Sequence, residues 1–437
     1  MPGLLKENTV IGTMLGGSVR IISRLGGGGQ GDVYQVIYKG EKKALKWYRA
    51  DRIYDLPHFV ENLKRNIMNG RPTSDYLWPL DLTDVYEGNF GYVMDLCPDG
   101  FYEASEFIKG NVSFVSMRRK VDACLNIISA FRVLHAHGYS YKDINAGNFF
   151  ISPTTGKVYI CDNDNVAING MKMGVLGTLN YMAPEIVLRK GFPDRYSDRH
   201  SLAVLLFYML YGPHPLEGAR SVNTVLDDNL KRSLFGSEAL FVMDPFDHSN
   251  APDPLGQPGL LESWNQTPEH IRGLFTRAFS QSSLRNPKSR PLETDWLLEF
   301  AQFRSEIIPC ACGNEVCLEH GKPARCEKCS REVRAPYVAE VRGRIIPVSL
   351  DMRILRCQLG HPRPTEALDI VAWVVGSLNN PNLMGMRNMG SMTWTDCTRS
   401  SGESFQMKRN EVWQIEDGIV YRVSIPSAVV PIRIKRN

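Results

Sequence analysis

The sequence predicts an α+β protein: a two-lobed body, then a short cysteine-rich knot, then a β-rich C-terminal domain. Three observations predict this. Residues 19–97 read as short β-rich runs broken by glycine and charge. From about residue 103 apolar residues recur every three to four positions, the helical period. Five of the ten cysteines fall between Cys310 and Cys329. The predicted divisions are residues 1–302 for the body, with lobes at about 15–97 and 98–302, residues 303–335 for the knot, and 336–437 for the β-rich domain.

Each element has its own local signal. "VRIISRLGGGG" (19–29), "DVYQVIYKG" (32–40) and "KKALKWY" (42–48) predict strands. "PHFVENLKRNIMNG" (57–70) predicts a helix, and "SMRRKVDACLNIISAFRVLHAHG" (116–138) a longer one closed by its glycine. "LAVLLFYMLY" (202–211) predicts a buried core helix, because the run has about half the length a bilayer requires. Residues 213–262, rich in Pro, Asp, Asn and Gly, predict a long elaborated connection, and "RPLETDWLLEFAQF" (290–303) a closing helix. After Pro336, "DIVAWVVGSL", "EVWQIEDGIVYRVSI" and "AVVPIRIKR" predict strands.

Composition narrows the class. Hydrophobic residues make up 43% of the 437, enough for packed cores and too many for a disordered chain. The net charge of +4 is too mild to point to nucleic acid. The start, "MPGLLKENTVIG", lacks a basic segment followed by an apolar run, so no signal peptide is expected. The cysteines are concentrated in one place, unlike a secreted disulfide scaffold. The expected setting is the cytoplasm, with no membrane association.

The chemistry-bearing residues follow one another along the body. In "RLGGGGQGDVYQV", Gly26, Gly28 and Gly31 fit G-x-G-x-x-G, with Leu25 before and Val33 after. Without a Cβ, such residues let backbone N–H groups approach phosphate oxygens. The pattern is weak alone, since any glycine-rich hairpin can produce it. A strand-like run follows it here, which argues against a dinucleotide-binding turn. Lys46 lies one strand later. Glu61, on the next helix, is the sole glutamate between Lys46 and Glu87. "YKDINAGN" places Asp143 and Asn148 five residues apart, and "VYICDND" places Asp162 after an apolar strand. Carboxylate and amide oxygens suit Mg²⁺, a hard cation. "GTLNYMAPE" ends on Glu185, "YSDRHSLAVLLFYMLYG" carries Asp198, and "NPKSRP" carries Arg290.

At least seven elements in this order, over roughly residues 19–300, resemble the eukaryotic-like Ser/Thr protein kinases. The resemblance implies the bilobal protein-kinase fold and Mg-ATP as phosphate donor, with a protein substrate. Residue by residue, it implies Lys46 on the α- and β-phosphates with Glu61 as its helix partner. It implies Asp143 as catalytic base, and Asn148 and Asp162 as magnesium ligands. Asp198 would anchor the catalytic loop, and Arg290 would pair with Glu185. Around adenine it implies Leu25, Val33, a gatekeeper Met94, and the backbone at Asp95 and Cys97. "HPLEGAR", "LFVMDPFDHSNAPD" and "RGLFTRAF", followed by a cysteine knot, resemble a narrower group. These are bacterial kinases of tellurite-resistance-type gene clusters, found beside a von Willebrand-type protein and a metal-dependent phosphatase, which the resemblance implies as partners.

The departures from the family pattern bear on activity. Tyr141 and Lys142 replace the His and Arg of H-R-D. Asn145 replaces the lysine that touches the γ-phosphate, and Asn163 and Asp164 replace the Phe and Gly of D-F-G. Asp143, Asn148, Asp162 and Lys46 remain. Phosphoryl transfer depends mainly on positioning and electrostatics, so one lost γ-phosphate contact is expected to slow the reaction without abolishing it. The expectation is therefore an active kinase. The rival is a nucleotide-binding pseudokinase scaffold, and a third reading is a kinase-like enzyme of small molecules, against which "APE" and Arg290 argue. The loop after Asp162 holds no Ser, Thr or Tyr before Thr178. Control without activation-loop phosphorylation is expected.

In the knot, Cys310 and Cys312 form a C-x-C, and Cys326 and Cys329 a C-x-x-C. Two such turns suit tetrahedral Zn²⁺ in a ribbon, with Cys317 and His320 as spare candidates. A redox role for the C-x-x-C would call for a βαβ setting, which is missing. In the β-rich domain, "MGMRNMGSMTWTDCT" is faintly similar to forkhead-associated phosphopeptide readers, but their S-x-x-H does not occur.

Overall fold

The structure, a computed structural model, describes residues 4–28, 31–221, 227–380 and 383–437. Its N-terminal sheet has six antiparallel strands: β1 (Val10–Gly12), β2 (Ser18–Gly27), β3 (Gly31–Tyr38), β4 (Glu41–Tyr48), β5 (Asp81–Leu82) and β6 (Phe90–Asp95), in the order β1-β2-β3-β4-β6-β5. The sheet therefore starts earlier than the sequence suggests. β1 is three residues long, too short to show a period of two, and it forms by pairing Val10 with Arg20. Between Arg24 and Gly26 the β2–β3 register slips, and Leu25 stands out of the ladder half-exposed.

Helix α1 (Leu56–Asn69) packs beneath this sheet. Asp55 caps it by accepting from the His58 N–H at 3.2 Å, Pro57 occupies its first turn, and Gly70 closes it at φ 73°. The second lobe is built on α2 (Met117–Ala136), α3 (Arg195–Tyr211) and α4 (Glu293–Glu306). Ser116 caps α2, and an Asp194–Ser197 capping box starts α3. Ile127, Ile128 and Phe131 of α2, Leu205 and Phe207 of α3, and Trp296 and Phe300 of α4 share one core. The predicted connection at 213–262 contains short helices at Asp228–Arg232 and Pro258–Gln266; its residues 222–226 lie outside the described residues.

α4 runs four residues beyond the predicted division at 302. Two small hairpins follow, Ile307–Pro309 with Glu315–Cys317, and Ala324–Arg325 with Glu332–Val333. From Tyr337 onward the chain forms two antiparallel sheets around a shared core that includes Trp394 and Tyr421. One runs Arg344–Val348, Tyr337–Val341, Ala428–Arg436, Val420–Ile425, Trp394–Thr398, Ser404–Met407; the other runs Arg353–Leu355, Ile370–Gly376, Met384–Asn388, Val412–Gln414. This unit is tied to the body. Arg344 makes a two-pronged pair with Glu299 of α4 at 2.9 and 2.7 Å, Gln302 donates to the Ile345 carbonyl at 2.8 Å, and Arg132 of α2 donates to the Pro362 carbonyl at 2.7 Å. No helix among the described residues is long and apolar enough to cross a membrane.

Candidate active site and cysteine centre

The cleft is roofed by the glycine hairpin of β2 and β3. Its glycines differ in what demands them. A Cβ on Gly31 would lie 2.0 Å from the Trp47 carbonyl oxygen, so the close approach of β4 requires glycine there. A Cβ on Gly26 or Gly28 would meet nothing within 4 Å among the described residues, which leaves space beside the backbone for an anion. The Gly28 N–H donates to the Gly31 carbonyl at 2.8 Å, while Gly29 and Gln30 lie outside the described residues.

Behind the hairpin is an apolar cluster. Ala44, Met94 and Cys161 are buried members of one cluster, and Val33, Leu96, Cys97 and Phe150 pack against it. The Asp95 carboxylate is held by Lys43 at 2.8 Å and Arg71 at 3.1 Å, and burial pushes the Cys97 thiol up to about 11. The aromatic and thiol members of the cluster, Phe150 and Cys161, are not identified by sequence reasoning. They are legible only through their offsets, two residues after Asn148 and one before Asp162.

Lys46, near the end of β4, is buried. Its ammonium lies 2.9 Å from Asp164 Oδ2 and 3.2 Å from Asp162 Oδ1. The Tyr48 hydroxyl also donates to Asp164 Oδ2. Burial pulls the Lys46 pKa down, but Asp164 and then Asp162 outweigh it, and the ammonium is held above its ordinary value.

The expected Lys46–Glu61 pair is not formed. Glu61 is exposed, and the buried face of α1 carries Phe59, Asn62, Leu63 and Asn66. One residue is about 100° of helix rotation, so Glu61 falls off the inward stripe that Asn62 occupies. Asn62 donates to the Val166 carbonyl at 2.9 Å and the Asp164 carbonyl at 3.4 Å, and Asn66 donates to Val166 at 2.8 Å.

The loop bearing Asp143 is anchored from below. The Asp198 carboxylate accepts the N–H groups of Tyr141 at 2.7 Å and Lys142 at 2.9 Å, and sits 3.1 Å from His135 Nε2. His135 Nδ1 lies 2.9 Å from Glu293, which also accepts from Arg199. Burial disfavours the charged ring, but Asp198 and Glu293 overcome this and hold the His135 pKa at about 9. Tyr141 packs against Phe131 and Phe149, and its hydroxyl donates to the Cys161 carbonyl. The tyrosine thus ties the loop to the residue between the strand Val158–Ile160 and Asp162.

Asp143 Oδ1 accepts from the Thr178 hydroxyl at 2.9 Å, and its main-chain carbonyl accepts from Asn148 Nδ2 at 2.9 Å and Asn145 Nδ2 at 3.3 Å. Burial raises the Asp143 pKa. Asn148 spends its N–H on that carbonyl and keeps its amide oxygen as an acceptor. Asp162 takes the left-handed conformation at φ 52°, and its side chain is 41% exposed. These two oxygen donors fit a hard divalent cation. Glu185 receives both prongs of Arg290 at 2.8 and 2.7 Å.

In the knot, the sulfurs of Cys310, Cys312, Cys326 and Cys329 all lie within 4.8 Å of one another. The Cys310–Cys329 and Cys312–Cys326 pairs are each 3.6 Å apart. That is far beyond a disulfide bond, and near the edge of about 3.8 Å that four thiolates make around a tetrahedral ion with bonds of about 2.3 Å. The set fits Zn²⁺. Cys317 and His320 do not join it: Cys317 packs toward the helical core, and His320 lies beside Glu306.

Comparison with known proteins points to one family. The profile of the protein kinase domain matches residues 19–245, just over half the chain. A serine/threonine-protein kinase of Arabidopsis thaliana, AtPK1/AtPK6, is 28% identical over 251 residues, which cover 53% of this chain and 50% of that protein. A cGMP-dependent protein kinase of Drosophila melanogaster, isozyme 2 forms cD5/T2, is 27% identical over 212 residues, covering 47% and 22%. The dual specificity protein kinase TTK of Mus musculus is 25% identical over 217 residues, covering 45% and 24%. The chain spans half or less of the length of these relatives.

Proposed function

This chain belongs to the protein kinase family, and from that premise we propose that it transfers the γ-phosphoryl group of Mg-ATP to Ser or Thr hydroxyls of proteins. The observation that carries the reading is the setting of Asp143. Its loop is clamped by Asp198, its carbonyl by Asn148, and one carboxylate oxygen already accepts a threonine hydroxyl, that of Thr178. An acceptor hydroxyl beside the same carboxylate would give its proton to Asp143 as its oxygen bonds to the γ-phosphorus. The bond from that phosphorus to the β–γ bridging oxygen breaks, and ADP leaves. Burial raises the Asp143 pKa, which makes the carboxylate a better proton acceptor.

The other residues position and shield charge. Lys46 presents its ammonium toward the cleft, and the open backbone at Gly26 and Gly28 leaves room for phosphate oxygens. The cluster of Val33, Ala44, Met94, Phe150 and Cys161 would pack against a flat apolar base, with the backbone at Asp95 and Cys97 as its hydrogen-bonding edge. Asn148 and Asp162 would hold magnesium, which when bound neutralises charge on the phosphate oxygens. Asn145 bends back onto Asp143 and does not extend as a lysine would, which supports a slowed, not absent, transfer. Cys310, Cys312, Cys326 and Cys329 would hold one structural Zn²⁺. The proposed setting is a bacterial cytoplasm, with a von Willebrand-type protein and a metal-dependent phosphatase as candidate partners on the motif resemblance.

The test is incubation of the full chain with γ-labelled ATP, magnesium and a pool of Ser-, Thr- and Tyr-containing peptides. Label recovered as phosphoserine or phosphothreonine supports the reading. Label found only as inorganic phosphate, or none transferred, overturns it in favour of a nucleotide-binding scaffold.

A further inference from the structure

A buried ammonium is costly unless an anion sits against it. For Lys46 that anion does not come from α1, whose inward positions are the neutral Asn62 and Asn66. It comes from the turn after Asp162. Asp164 is fully buried, and its Oδ2 lies 2.9 Å from the Lys46 ammonium. Asp162 also reaches Lys46, at 3.2 Å, but its side chain is 41% exposed and open to the cleft, where a cation can claim it. Asp164 has no such exposure, and Tyr48 is its other side-chain partner.

We propose that Asp164 is the positioning residue for Lys46, supplying from the D-N-D turn the fixed counter-charge expected from a glutamate on α1. The inference rests on the kinase reading for its link to catalysis, but not for the ion pair itself. The two elements divide the work. α1 is tied to the turn by neutral amide–carbonyl bonds, from Asn62 to the Asp164 and Val166 carbonyls and from Asn66 to Val166. The charge that orients Lys46 belongs to the turn alone. Two consequences follow. α1 supplies no charge to Lys46, so any effect of this helix on the lysine passes through the turn that Asn62 and Asn66 hold. The turn residue also cannot be glycine, its usual identity in the family, because glycine would leave Lys46 with only the exposed Asp162.

Asp164→Asn keeps the shape of the side chain and removes its charge. Two readouts on the full chain test it: initial rates of phosphoryl transfer across ATP concentrations, and labelling of Lys46 by an amine-directed reagent at one fixed pH, read by mass spectrometry. With the counter-charge gone, the Lys46 side chain is no longer held against the buried turn and is freer to reach the reagent. Lys46 labelling should rise severalfold and kcat should fall about tenfold or more. Adding Asn62→Glu, which returns an acid from the inward face of α1, should reverse part of both changes. A merely structural role for Asp164 predicts no such rescue. Should Asp164→Asn fail to fold, Glu61→Gln decides: the proposal expects both readouts unchanged. A rise in Lys46 labelling in Glu61→Gln, or Asp164→Asn that folds with both readouts intact, overturns it. If the wild type transfers no phosphate while Lys46 labelling responds to Asp164→Asn, the kinase reading fails and the ion pair stands. If transfer is robust and indifferent to Asp164, the reverse holds.

Discussion

Tyr141 and His135 show how much of the catalytic loop is decided by single side chains out of reach of substrate. Tyr141 fills the packing position of the expected histidine and adds a bond to the Cys161 carbonyl. His135, one helix away, lies between Asp198 and Glu293 and so supports the residue that clamps the loop. Its pKa rises from 6.5 to about 9 on folding. The charged ring therefore contributes stability in full below about pH 6.5, and loses it as pH climbs through 9. Lys142 also faces Asp198, and burial lowers its pKa to about 8, so its effect runs the opposite way in the same window. The difference between wild type and His135→Gln cancels that effect. The stability advantage of wild type should shrink by on the order of 2 kcal/mol between pH 6.5 and 10 in denaturant titrations. Parallel curves would show that His135 is not charged in the fold. Sequence spacing singled out Lys46 and Asp162, whose charged groups the fold brings within 3.2 Å, and Asp143 and Asn148, which it joins by a bond of 2.9 Å. It did not single out Asp164, which lies 2.9 Å from Lys46, and it chose Glu61 over Asn62, because a partner on a helix is chosen by rotation, and a shift of one residue is invisible in a count of acids.

At the scale of elements, the segment from Asp162 to Glu185 is held by contacts that need no phosphate. Lys142 donates to the Met171 carbonyl, Thr178 to Asp143, and Ser201 to the Tyr181 carbonyl at 2.6 Å. A lysine engaged with a carbonyl is a poor receiver for a phosphate, which favours the two-pronged guanidinium. Mass spectrometry of active enzyme should find no phosphate between Asp162 and Glu185, and phosphatase treatment should leave the initial rate unchanged. A large loss of rate tied to phosphate on Thr178 or Tyr181 would sink this account. The strands and helices that carry the site were legible because each is long enough to show its period or its cap. β1 was not, being three residues at an edge whose existence depends on β2. The end of α4 was placed short, because Arg304, Ser305 and Glu306 look like a polar exit yet are buried, Arg304 against Asp122 of α2, Ser305 bonded back to the Ala301 carbonyl, and Glu306 against Gln302 and the His320 N–H.

On the scale of the whole molecule, α4 is the shared wall between the kinase body, the cysteine knot and the sheets beyond Tyr337. Glu306, fully buried at its end, accepts from Gln302 and from the His320 N–H, and Glu299 pairs with Arg344. The knot has a small core of its own around Leu318 and Cys326, and a metal held by its four thiols would add to its folding energy. Elemental analysis should find one Zn²⁺ per chain, and its removal by a strong chelator should lower the melting temperature; no zinc, or a Cys326–Cys329 disulfide, would contradict the assignment. The two cysteine turns were legible from spacing alone, whereas the attachment of the knot to α4 was not, since it depends on contacts between residues distant in sequence. The central proposal is that the altered catalytic loop works through Asp143. The most direct measurement compares wild type with Asp143→Ala in the same preparation for both turnover and ATP affinity. The account predicts that kcat falls roughly 10²–10⁴-fold while the ATP dissociation constant stays within about threefold, because the carboxylate acts on the acceptor and not on the nucleotide. Equal turnover in the two proteins, or a loss of ATP binding that accounts for the loss of rate, would contradict it.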